Sequence, residues 1–169
     1  MAASLRRLDL LSSVLIVASL TPVVSASSET AARRVSAAQR FFRGVYGCDA
    51  SVVRDVASSD VIVSYPVFEK LFGKSAFRGV EAVESFAQGF CERWASAEFT
   101  FHESLTNEQN VVLIWSFSAQ RTADPAQTSR TSWGGISLFR FNDNGQITAE
   151  VGEESTPGPM ARLKEALEQ

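Results

Sequence analysis

Hydrophobic residues follow two different spacings along this chain, and the change falls near residue 95. Val35, Ala38, Phe42, Val45 and Tyr46 recur at steps of three and four, which places them on one face of a helix. Thr30 can cap that helix and Gly47 stops it. Asp49 can cap a short second helix over Ala50 to Ala57. Ser58-Ser59-Asp60 then leads into Val61-Ile62-Val63-Ser64-Tyr65, a β-branched run closed by Pro66 and therefore a strand. Residues 67 to 78 carry neither period and read as an irregular loop or short hairpin around Gly73. A third helix opens at Gly79 and runs through Trp94, with Val80, Val83, Phe86 and Phe90 as its buried stripe.

Beyond that helix the period drops to two. Strands are predicted over Glu98 to Ser104, Val111 to Arg121, Ser129 to Phe141 and Gln146 to Val151. Polar loops at 105 to 110 and 122 to 128 make two of the turns. Asn142-Asp143-Asn144-Gly145 makes the third, because Asn-Gly tolerates the positive φ angles of a tight hairpin. Strands of this length must twist or curl, which predicts an α+β fold with a curved antiparallel sheet wrapped around the N-terminal helices. Pro157-Gly158-Pro159 ends the sheet, and Met160, Leu163 and Leu167 have the spacing of a short closing helix.

The N-terminus follows a different logic. Arg6 and Arg7 precede an apolar run from Leu10 to Val24, and Val24-Ser25-Ala26 has the small residues of a cleavage site, so residues 1–26 read as a signal peptide. The run is shorter than the roughly twenty residues that span a bilayer, which leaves no stable membrane anchor after processing. The expected location is secreted or periplasmic, with 27–34 a flexible segment, 35–156 the folded domain and 157–169 a tail with the short helix.

Composition narrows the chemistry. A net charge of −3 and a pI near 5.2 offer phosphate backbones no long-range attraction, so nucleic acid is not an expected partner. One histidine and two cysteines lack metal-ligand spacing, and no metal or other cofactor is expected. Export would allow Cys48 and Cys91 to pair, but their separation in space cannot be read from the sequence, and buried free thiols remain the alternative. The twelve Phe and three Trp all lie after residue 40, enough aromatic surface to line a cavity as well as fill a core.

Several short pieces in a fixed order carry a family resemblance. They are Cys48-Asp49 after the first helix, Ser59-Asp60-Val61 entering the first strand, Pro66, Phe77-Arg78-Gly79 before the third helix, and the hairpin from Phe139-Arg140-Phe141 to Gln146-Ile147. Over roughly residues 35 to 155 the chain resembles the nuclear transport factor 2-like superfamily, in its SnoaL-like and ketosteroid-isomerase-like branch. The resemblance implies a cone whose sheet encloses an apolar pocket. The family's hydroxyl, base and acid fall on positions that look like Phe41, Tyr65 and Ser137, which cannot perform the isomerase or cyclase chemistry in the family's way. Scytalone-type dehydration relies on two histidines and this chain has only His102, while epoxide hydrolysis in this fold uses an Arg-x-Asp that no strand here offers.

The same placement turns positions 150, 152 and 154 into the cone, so Glu150 and Glu154 flank Gly152 on the aromatic wall, where a carboxylate would have a raised pKa. Glu150, Glu154 and Tyr65 are the candidate catalytic residues. Phe41, Val63, Tyr65, Leu113, Trp115, Phe117, Trp133, Gly135, Ser137, Phe139 and Gly152 are the candidate ligand-binding residues, with space for a ligand expected beside Trp133-Gly134-Gly135. Two functions stay open: a module that binds a small, largely apolar molecule, or an isomerase, lyase or cyclase working through Glu150, Glu154 and Tyr65. Val112, Ile114, Ile136 and Leu138 face outward, and a homodimer through that sheet face would explain their apolar character.

Overall fold

A computed structural model of the chain describes residues 26–122 and 130–154. The expected leader and the closing helix at 160–167 therefore lie outside the described residues. Helices α1 (Ala26–Tyr46), α2 (Val52–Val56), α3 (Val67–Phe72) and α4 (Val80–Arg93) pack on strands β1 (Ala57–Ser64), β2 (Ala76–Arg78), β3 (Trp94–Thr106), β4 (Asn110–Arg121), β5 (Thr131–Phe141) and β6 (Ile147–Glu154). The strands form one unclosed sheet in the order β2-β1-β6-β5-β4-β3.

The sequence locates most of these elements, and the differences have local causes. Helix α1 begins at Ala26 instead of Thr30 and takes in the segment 27–34 that was expected to be flexible. No Pro or Gly interrupts that stretch, and Glu29 pairs with Arg33 one turn later. The supposed loop at 67–78 is α3 followed by β2. Pro66 pre-sets the helical φ at the start of α3, and Gly73 closes it at φ +66° in the left-handed region that glycine tolerates. Six residues are too few to display a period. Strand β3 starts at Trp94 with no loop after α4, because the Trp94 ring packs 5.1 Å from that of Trp133. The Asn142 turn falls where predicted, but of the Asn-Gly pair only Gly145 takes a positive φ, +75°, and it donates its N–H to the Asn142 carbonyl.

The sheet is antiparallel except at one seam, where β1 runs parallel to β6. Register shifts interrupt β3 at Ala95/Glu98 and Phe101/Glu103, and such bulges bend a strand. The bent sheet closes over α1, whose face of Ala38, Phe41, Phe42, Val45 and Tyr46 is fully buried. Alternation along β4 sends Val111, Leu113, Trp115 and Phe117 to this inner side and leaves Val112 and Ile114 on the outer one.

Two glycines on the inner side make room for rings. A Cβ on Gly135 would stand 2.5 Å from the indole of Trp115, and one on Gly152 would stand 2.1 Å from the ring of Tyr65. Close packing leaves neither ring a place to retreat. Gly152→Ala is therefore expected to destabilise the fold by about 1–3 kcal/mol, the usual cost of overpacking. Urea unfolding checks this, as a lower midpoint with an unchanged m-value.

Candidate functional site

Glu150 is the one acidic side chain with no exposed surface among the described residues. Its inward direction comes from a sheet irregularity. Ile147 also faces inward, three positions away, and strict alternation from Ile147 would send Glu150 to the outer face. A register shift between Arg140 and Phe141 on β5 places Phe141 opposite Ile147 and Phe139 opposite Glu150, so both β6 residues point into the core.

Glu150 is met by hydroxyls from two other elements. The Tyr65 hydroxyl, just past the end of β1, donates to Oε1 at 2.6 Å. The Tyr46 hydroxyl, from the last turn of α1, lies 3.4 Å from each carboxylate oxygen. Behind Tyr65, its oxygen lies 2.8 Å from Ser137 Oγ, which accepts the indole N–H of Trp115 at 3.0 Å. An indole N–H can only donate, and Tyr65 has committed its proton to the carboxylate, so the Ser137 proton points to Tyr65. The chain runs Trp115 to Ser137 to Tyr65 to Glu150, each hydroxyl polarised by the one behind it.

The charge consequences follow from burial. Loss of water raises the Glu150 pKa from 4.5 to about 7, against the opposing hydrogen bonds from Tyr65, Ser137 and Tyr46. Burial first, and the nearby Glu150 charge second, push both phenols well above their ordinary pKa of 10. Tyr46 and Tyr65 thus remain proton donors across the range in which Glu150 titrates. The site combines a carboxyl balanced between acid and base near neutrality with two hydroxyls that stay protonated.

Of the candidate residues, Tyr65, Trp115, Ser137 and Glu150 come together in this network. Phe41, Val63, Leu113, Phe117, Trp133 and Phe139 surround it as packed core, with Phe41 edge-on to Phe139 and the Phe117 and Trp133 ring centres 4.2 Å apart. The space expected beside Trp133-Gly134-Gly135 is not open: the Trp115 ring occupies the position over Gly135, as the Tyr65 ring does over Gly152. Glu154 is partly exposed, opposite Gly135 and two residues beyond Gly152, and its charge still reaches Tyr46. His102 lies on the outer side, hydrogen-bonded to Ser116.

Sequence reasoning missed Tyr46, which it counted as part of the apolar stripe of α1. Its hydroxyl reaches Glu150 from the end of the helix, whereas the Phe41 side chain has no polar atom. The available signal was a Tyr in a stripe otherwise made of groups with no polar atom, since a buried phenol needs a partner. Cys48 and Cys91 form a disulfide with Cα atoms 5.5 Å apart, which settles the pairing left open above.

Comparison with known proteins agrees with this architecture. The family model of the SnoaL-like domain matches residues 38–150. A nuclear transport factor 2-like protein of unknown function from Burkholderia pseudomallei superposes with a TM-score of 0.62 at 14% identity, covering 77% of this chain and 95% of that one. An LEH-like epoxide hydrolase from Mycobacterium tuberculosis gives 0.59 at 15% identity, covering 81% and 93%. A protein of ketosteroid isomerase-like fold from Catenulispora acidiphila, in complex with trimethylamine, gives 0.60 at 10% identity, covering 74% and 89%. At these identities the likeness concerns the fold. No curated protein matches the sequence.

The Glu150 environment predicts a pH dependence of stability. The folded chain holds this proton up to about pH 7, whereas the unfolded chain releases it near 4.5. The native state thus binds more protons between those values, and its stability is full below 4.5 and falls as pH rises through 7. The shift corresponds to a loss on the order of 3 kcal/mol. Denaturant unfolding from pH 4.5 to 8 should show this decline in the native protein and a much shallower one in Glu150→Gln.

Proposed function

This chain belongs to the SnoaL-like domain family, and from that premise we propose that it binds a small, largely apolar molecule bearing a carbonyl or hydroxyl oxygen and moves a proton on it through Glu150. The observation that carries the proposal is a fully buried carboxyl, near pKa 7, beneath two phenols. A domain that only enclosed an apolar molecule would have no need of a buried carboxyl, whose desolvation is costly. An incoming carbonyl competes for the Tyr46 and Tyr65 hydroxyls that now rest on Glu150. As they turn to the ligand oxygen they stabilise negative charge there, and the carboxylate they leave becomes a stronger base. It takes a proton from the carbon beside the carbonyl and returns it to another position, which is isomerase-type chemistry, or the electron pair expels a leaving group, which is lyase-type.

A second reading, a binding module without chemistry, draws on the completeness of the network. Every donor in the Trp115 to Glu150 chain already has a partner, and Trp115 and Tyr65 already fill the spaces over Gly135 and Gly152. Under that reading aromatic surface supplies the affinity and Glu150 is a structural acceptor. The bridge between Cys48 and Cys91 fits an oxidising compartment, which supports our proposal that the chain is exported.

The outer sheet face supports a second copy of the chain as partner. Ile136 and Val151 are 51% and 42% exposed, and with Val112 and Leu138 they line an open groove of about 590 Å³ that reaches Tyr65 and Pro66. An isologous dimer would cover this apolar strip. Ile136→Glu should convert a dimer to a monomer in light scattering at micromolar concentration; a native protein already monomeric there would remove the dimer.

Native mass spectrometry of protein from its own host should find a retained small molecule. Screened against carbonyl compounds that carry an acidic C–H, Glu150→Gln should abolish turnover while ligand affinity changes little. If no turnover is found, and Trp115→Ala lowers affinity for the retained molecule far more than Glu150→Gln does, the binding module is the function.

A further inference from the structure

The Cys48–Cys91 bridge lies outside the hydrogen-bonded network, yet it is joined to it at both ends. Cys48 is two residues past Tyr46, and Cys91 follows Phe90, whose ring centre is 5.3 Å from that of Tyr46. The bridge therefore ties the helix end that carries the phenol to the helix that packs against it. Phe86, one turn earlier on α4, lies 6.1 Å from the Tyr46 ring on the same side.

The backbone between them is costly to form. Helix α1 ends as the Asp49 N–H donates to the Gly44 carbonyl at 3.0 Å, and the left-handed residue that such an ending needs is Cys48, at φ +74°. Glycine usually occupies that position, and a residue with a Cβ is strained there. The neighbouring glycine, Gly47, serves another need, because a Cβ on it would stand 2.3 Å from the Arg43 carbonyl oxygen. Cys48 in this strained position carries the sulfur that pairs with Cys91. Cys48 is exposed as a residue and Cys91 is half-buried, so the bridge lies near the surface.

We propose that the Cys48–Cys91 disulfide is a positioning device for the Glu150 site: it holds the last turn of α1 against α4 so that the Tyr46 hydroxyl stays on the Glu150 carboxyl, and its reduction releases that hydroxyl. A dithiol reduces the bridge, the S–S bond taking up two electrons and two protons to give two thiols while the dithiol closes to its own disulfide. Tyr46 is the weakest-held member of the network, at 3.4 Å, and a small outward movement of the helix end breaks its contact while Tyr65 keeps its own. The functional meaning of this control rests on the proton role proposed for Glu150; the structural coupling does not.

The titratable groups that face Glu150 are Tyr46 from α1, Tyr65 after β1 and, further along its own strand, Glu154, whose charge acts on Tyr46. From α4 the neighbours of Tyr46 are Phe86 and Phe90, which do not titrate. Loss of the Tyr46 hydrogen bond removes a donor to the charged carboxylate and raises the proton affinity of Glu150.

The test is a carbon NMR titration of the Glu150 side-chain carboxyl in full-length protein, oxidised and after reduction with dithiothreitol. Reduction should move the midpoint upward by roughly half a pH unit, about threefold in proton affinity. Tyr46→Phe should give the same shift while oxidised and should not respond further to reduction. Cys48→Ala combined with Cys91→Ala should reproduce the reduced state without a reductant. An unmoved midpoint on reduction, or an equal response in Tyr46→Phe, would overturn the proposal. Collapse of the amide spectrum in both the reduced protein and the double variant would also overturn it, by showing a staple for the whole fold. The titration needs no substrate, so a failure to find turnover would count against the proton chemistry alone.

Discussion

Burying a carboxylate is the costliest demand in this structure, and much of the inner face is arranged around it. Glu150 has no exposed surface, and an unpartnered charge there would destabilise the fold by several kcal/mol. The chain meets the demand in two ways. The group binds its proton more tightly, up to about pH 7, and its remaining charge is met by hydroxyl donors from separate elements. Neither arrangement is complete, since full hydrogen bonding would return the pKa to its ordinary value. The residue of that competition is a carboxyl able to give or take a proton at neutral pH, which is the property that acid and base catalysis requires.

The aromatic core serves the same end. Tyr65 reaches Glu150 because Gly152 leaves its ring a place, and Trp115 reaches Ser137 because Gly135 does likewise. Each ring lies over a glycine of the neighbouring strand, Trp115 on β4 over Gly135 on β5 and Tyr65 after β1 over Gly152 on β6, so the hydroxyl positions are fixed by packing more than by the hydrogen bonds themselves. Phe68, tilted 5.2 Å from the Tyr65 ring, and Phe42, 4.6 Å from that of Tyr46, close the assembly on the helical side. Donors held in place in this way need little reorganisation when charge develops nearby.

The two faces of the sheet differ in character. Its inner face carries the network, and its outer face carries an apolar strip that a second chain could cover. Strand β6 contributes to both, with Glu150 and Gly152 inside and Val151 outside. Tyr65 lies at the end of the outer groove and also donates to Glu150, so a partner seated on that groove would rest against a member of the inner network.

By itself the sequence determined the order of the main helices and strands, the Asn-Gly hairpin, the inward faces of α1, α4, β4 and β5, and the acidic character that argues against nucleic acid. Those features depend on neighbours within a few residues, and a period of two or of three to four reports them directly. It also singled out Tyr65, Ser137 and Glu150, though only through a family resemblance that aligned their strands. Three features were decided by tertiary structure. The direction of Glu150 depends on a register shift between β5 and β6, which no single strand encodes. The role of Tyr46 depends on where the last turn of α1 meets β6, 104 residues away in sequence. The filling of Gly135 and Gly152 by Trp115 and Tyr65 reverses the expectation of open space, because a missing side chain shows only that something close occupies its position, and which group that is depends on how distant segments pack.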